Sequence, residues 1–124
     1  MRPHERLEVW GRSVEFVVTI YKLTSSFPNE EKFGLTSQIR RAAVSVPANI
    51  AEGAGRKSGK EFSHFLSNAQ GSASELATEL LIAKKLGYLN EDGYQMGATE
   101  LDNIGRIIVG LSRSIRDSTT LRVN

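Results

Sequence analysis

Cysteine is absent, which removes both a disulfide framework and thiolate metal ligation. Histidine occurs only as His4 and His64, too few for a histidine zinc site, so neither a structural metal nor a cofactor is expected. No run approaches the ~18 uninterrupted apolar residues of a membrane-spanning helix. No apolar segment follows Met1-Arg2-Pro3-His4-Glu5, so a secretory leader is not expected either, and the expected location is the cytoplasm. An excess of one charge sign is also missing. The 16 Lys and Arg face 14 Asp and Glu, a net charge of +2, which permits an anionic partner without demanding one.

What is present is an ordinary globular composition over 124 residues, 40% apolar and 24% charged. A chain of this length buries roughly two thirds of its unfolded surface, so one domain spanning residues 1–124 is expected. The apolar periodicity is helical nearly throughout, and punctuation divides the chain into four segments with no sustained strand-like alternation. The first runs from about Glu5 to Ser26 and places Leu7, Trp10, Val14, Val17, Val18 and Tyr21 on one face. It stops before Phe27-Pro28, because proline disfavours helix in the residue ahead of it. A polar connection from Phe27 to Gly34 follows.

The second segment begins near Thr36, read as its N-cap, and repeats Ile39, Ala43, Val46 and Ile50. Pro47 removes a backbone donor inside this run, which predicts a kink near Ala43 to Pro47 within one helix. Gly53-Ala54-Gly55 loosens its end. Ser58-Gly59-Lys60-Glu61 is a capping box that opens the third segment, where Phe62, Phe65, Leu66, Ala69, Ala73, Leu76, Leu80 and Ala83 form a continuous stripe. Gly87 supplies a left-handed stop. The fourth starts at Asn90 and buries Tyr94, Ala98, Leu101, Ile104, Ile108, Leu111 and Ile115. Four amphipathic helices joined by short links specify an all-α, antiparallel up-down four-helix bundle.

Several of these stretches, taken together, resemble one family. They are Tyr21-Lys22-Leu23, Phe27-Pro28, Leu35-Thr36-Ser37-Gln38-Ile39-Arg40-Arg41-Ala42-Ala43, Asn49-Ile50-Ala51-Glu52-Gly53, Glu61-Phe62, Phe65-Leu66, Gly71-Ser72 and Leu86-Gly87-Tyr88. The chain resembles the 23S rRNA intervening-sequence, or S23-type, proteins over nearly its whole length. That resemblance implies an up-down four-helix bundle assembled as a ring, a homopentamer, and an association with rRNA suggested by gene position. It implies no established catalytic reaction.

The same residues can be read physically. Gln38, Arg41, Ser45, Asn49 and Glu52 share about 80° of helix surface with Arg56. Asn68, Ser72, Glu75 and Glu79 form a matching polar stripe on the third segment. In an antiparallel hairpin turning near Ser58, Gln38 falls opposite Glu79, Arg41 opposite Glu75, Ser45 opposite Ser72, Asn49 opposite Asn68 and Glu52 opposite His64. This predicts a structural hydrogen-bonded seam, with Arg41 paired to Glu75. A catalytic groove using Glu52 or Glu75 as base and His64 as acid is the less favoured reading. No Ser-His-Asp, paired-Asp metal or phosphate-loop spacing accompanies these residues, so no catalytic residue is assigned and no enzyme is expected.

Charge is segregated. From Thr36 to Lys60, the positives Arg40, Arg41, Arg56, Lys57 and Lys60 face Glu52 alone, and Arg106, Arg113, Arg116 and Arg122 face Asp117 near the C-terminus. Arg40, Arg56, Lys57 and Lys60 are the candidate nucleic-acid contacts. No aromatic residue interleaves with them in sequence, which predicts mostly electrostatic binding. The first segment carries a second apolar stripe, Val9, Phe16, Ile20 and Leu23, and a bundle buries one stripe per helix. This stripe is therefore the expected oligomer interface. The sequence thus suggests a non-catalytic homo-oligomer that binds structured RNA or another nucleic acid. The alternative is a protein-interaction scaffold of the same architecture.

Overall fold

A computed structural model of the protein describes the backbone of residues 1–123 and the side chains through Ser118. Four helices carry the chain: α1 Glu8–Thr24, α2 Leu35–Ala54, α3 Gly59–Lys85 and α4 Glu91–Val123. Short 3-10 turns at Pro3–Arg6 and Asn29–Glu31 precede α1 and α2. Each helix packs on its sequence neighbours, most extensively α2 on α3, and the bundle closes where α1 meets α4. That last seam is the thinnest. Arg12 fastens it with two parallel bonds to the Glu100 carboxylate, at 2.9 and 3.0 Å, which hold Glu100 below the usual carboxylate range.

Local chemistry explains most of the helix ends. The Ser58 hydroxyl accepts the Glu61 amide at 3.2 Å and opens α3. Gly87, at φ 82°, closes it, with the Tyr88 amide donating to the Ala83 carbonyl and the Gly87 amide to that of Lys84. The Asn90 side chain accepts the Gly93 amide at 2.8 Å and caps α4. At the start of α2 the cap differs from expectation. The Asn29–Glu31 turn brings the Glu31 carboxylate to the Leu35 amide at 3.1 Å, while Thr36 turns inward and is buried. Helix α2 runs unbroken through the buried Pro47.

The core contains Ile39, Val46, Ile50, Leu66, Leu76, Leu80, Ile104 and Ile108, and α1 joins it through Val9, Phe16 and Ile20. This overturns the expected interface. Val9, Phe16 and Ile20 are 1%, 5% and 0% exposed within the single chain, and Leu23 packs half-buried against the same core, so this stripe is not available to another subunit. Of the face expected to be buried, Leu7, Trp10 and Val17 pack half-buried at the margin of the core, while Val18 and Tyr21 are exposed. Ser13 and Thr24 concealed the inner face by interrupting its apolar run. Both are buried, with their hydroxyls satisfied by the carbonyls of Trp10 and Ile20, so burying them leaves no orphaned hydroxyl.

This orientation of α1 predicts the behaviour of two variants. Ile20→Ala should destabilise the fold by roughly 2–5 kcal/mol in chemical denaturation, the cost of a core cavity. Phe16→Glu should abolish the cooperative melt seen by circular dichroism, and not merely lower the mass of an otherwise folded protein.

Candidate nucleic-acid interface

Helices α2 and α3 approach closely at Gly53, and small residues recur on both. Ala42, Ala43 and Gly53 on one helix and Ala69 and Ala73 on the other are all buried. A Cβ at Gly53 would lie 2.8 Å from the Phe65 Cβ and 3.0 Å from a Phe62 ring carbon, so no larger residue fits without displacing α3. With the helices this close, only short side chains bridge the flank. The Ser45 and Ser72 hydroxyls meet at 2.8 Å, as the register predicts.

The other expected seam pairs do not form. Asn49 turns back to the Ser45 carbonyl and hydroxyl at 2.8 and 3.0 Å instead of reaching the exposed Asn68. Arg41 is exposed and has no carboxylate within ion-pair distance among the described residues, so the Arg41–Glu75 pair is overturned. Gln38 and Glu75 also face water, and Glu52 pairs with Arg56 just past the end of α2, not with His64. Arg41, Gln38 and Glu75 share one physical reason: long polar side chains at the edge of a close contact gain more from hydration than from burial in it.

Arg40 is likewise separated from the basic turn. Its guanidinium donates to the Thr24 hydroxyl at 2.9 Å and lies 4.4 Å from the Tyr21 ring centre, clamping α2 to α1. A groove of about 660 Å³ between α3 and α4 carries Arg106 and Arg113 beside Asp102. The side chain of Arg122 lies outside the described residues.

The link between α2 and α3 does gather charge. Arg56, Lys57 and Lys60 are all exposed there. Arg56 bonds Glu52 and lies over the Phe65 ring, 4.7 Å from its centre. The His64 ring meets Phe65 edge-on at 5.6 Å. Arg56, Lys60, Glu61, His64 and Phe65 thereby line an open cleft of about 580 Å³. The expectation of cations without aromatic neighbours is corrected: the helix places His64 one turn after Lys60, and the close approach at Gly53 holds Phe65 beside Arg56. By its sequence pattern Phe65 belongs to the core stripe and His64 to the seam or the surface. The spacing Lys60 to His64, i to i+4, was the available signal. Among the described residues, no group of three or more His, Asp or Glu is arranged to hold a metal.

Glu79 is the seam residue that burial alters most. It is 5% exposed, and its Oε1 has no hydrogen-bond partner. Burial first, then the charge of Glu75, pushes its pKa from 4.5 up to about 7. The folded protein therefore holds this proton to higher pH than the unfolded chain, and the site costs stability as pH rises from about 4.5 to about 7. Glu79→Gln should raise stability by roughly 1–3 kcal/mol at pH 8 and change it little near pH 4, as read by urea unfolding at both values.

The profile of one family, the 23S rRNA-intervening sequence protein, matches residues 5–110. Among solved structures, the chain is similar to a protein of unknown function from the S23 ribosomal protein family of Bacteroides thetaiotaomicron VPI-5482. The two are 25% identical, and the match covers 84% of this chain and 97% of the other with a TM-score of 0.76. No curated protein matches the chain. With its four helices and the family match over residues 5–110, the chain belongs to the 23S rRNA-intervening sequence protein family.

Proposed function

We propose that the protein is a non-catalytic, cytoplasmic homo-oligomer that holds structured RNA through the basic link between α2 and α3. The observation that supports this most is the state of the cations there. Lys57 and Lys60 are exposed and have no ion pair among the described residues, while Arg56 stands beside them. Phosphate binding releases counterions and needs such unneutralised, accessible charge. The description of the family supports RNA as the source of the phosphates.

Self-association is the second part of this reading. With the inner stripe of α1 consumed by the core, the assembly surface is the outer side of α1 and α2, where Val18, Tyr21 and Val44 are 48%, 43% and 44% exposed. Exposed apolar side chains grouped on one side mark interfaces, and a head-to-tail contact there closes a ring, a homopentamer in this proposal. A ring repeats the basic link around its axis and multiplies a weak phosphate contact.

Replacing Arg56, Lys57 and Lys60 together by Ala should abolish retention of a structured RNA in a gel-shift assay while leaving helicity intact. The slope of log affinity against log salt should fall by about 0.7 to 0.9 per lost phosphate contact. A wild type that retains no RNA favours the alternative of a protein-interaction scaffold. By light scattering, Val18→Glu with Tyr21→Glu should lower the mass of the wild-type oligomer, and mutants that keep the full mass would remove this surface.

A further inference from the structure

We infer that the cleft at the start of α3 is a subsite for one unpaired nucleotide, with its phosphate on Lys60 and its base against Arg56, His64 and Phe65; this rests on the RNA-binding reading above. A site built only for phosphates needs accessible cations and nothing else. Here two rings and a flat guanidinium are assembled beside the cation. Arg56 lies over Phe65 at 4.7 Å, and the His64 ring stands edge-on to Phe65 with an interplanar angle of 75°. The cleft therefore has two ring walls at a steep angle, and Lys60 lines it one helical turn of about 5.4 Å before His64. A phosphate and its base are separated by a sugar, and one turn is a separation of that scale.

The volume fits the same ligand. About 580 Å³ falls inside the range of roughly 300–1,000 Å³ typical of clefts that take small ligands. The walls are also preset. Gly53 leaves Phe65 no room to move toward α2, and Glu52 is already paired with the Arg56 guanidinium, so little side-chain order has to be gained on binding. Glu61 adds an acceptor at the cleft, already engaged by the Ser58 hydroxyl at 3.2 Å, that can meet the N–H donors of a base edge.

Such a cleft selects the kind of RNA. Bases in a duplex are stacked and paired, with no face free for a protein ring, whereas loops and bulges offer unstacked bases. Stacking on aromatic or guanidinium planes is tolerant of base identity, because every base has a π face. The subsite therefore recognises unpaired RNA and not a particular sequence. Lys57 lies outside the cleft lining and serves any phosphate, paired or not.

The experiment compares an RNA hairpin carrying 2-aminopurine in its loop with a fully paired RNA of equal length. The wild type should bind both, change the 2-aminopurine fluorescence, and hold the hairpin more tightly. His64→Ala, at an exposed position, should weaken hairpin binding about tenfold and abolish the fluorescence change while leaving duplex binding as it was. Phe65→Leu should do the same if circular dichroism shows it folded, and Lys57→Ala should weaken both RNAs alike. Equal affinity of His64→Ala and wild type for the hairpin, or equal losses on hairpin and duplex, would overturn the subsite and leave the phosphate reading standing. A wild type that binds neither RNA overturns both.

Discussion

The close approach of α2 to α3 is the constraint from which the rest of the structure follows. At Gly53 the two helices leave no space for a methyl group against Phe65 and Phe62, and Ala42, Ala43, Ala69 and Ala73 of the same two helices are buried. Small residues gain little from their own burial. Their contribution is to let Ile39, Val46, Ile50, Leu66, Leu76 and Leu80 interlock at interior density, where each loses its water and gains contacts on all sides. Helices α1 and α4 complete this frame, and where they meet each other, the thinner contact is fastened by Arg12 on Glu100.

The same approach forms the candidate site. A hairpin this tight, with only residues 55–58 between its helices, brings the end of α2 alongside the first turns of α3. Arg56 then lies over Phe65, and Lys60 and His64 stand one turn apart on the same cleft. No single element supplies this arrangement. The cations come from the link and the first turn of α3, the rings from its second turn, and the position of Phe65 from a glycine on α2.

Much of the fold was legible because its signals are local. The Ser58 cap, the stop at Gly87 and the cap at Asn90 each use a hydrogen bond or a backbone conformation that few other residues supply. The stripe from Leu66 to Ala83 had one reading only, since it has no rival face. Helix α1 had two apolar faces. The outer one looked stronger, because Ser13 and Thr24 break the inner run while bonding to their own helix, and only tertiary packing decides such a case. The register of the α2–α3 hairpin was right where the side chains are short, at Ser45 and Ser72, and misled where they are long. An antiparallel sum of residue numbers places Cα atoms opposite one another, but it carries nothing about the distance between helix axes. The approach is close at Gly53, and Arg41, Gln38 and Glu75 face water.

The primacy of the α2–α3 contact is open to direct measurement by native-state amide hydrogen exchange, resolved along each helix. Amides in the central turns of both α2 and α3 should exchange only through global unfolding, with the full free energy of the fold. Those of α1, and of α4 beyond its contact with α3, should open at lower cost. Slowest exchange in α1 or α4, with α2 and α3 opening locally, would contradict the view that this contact holds the bundle and its basic cleft together.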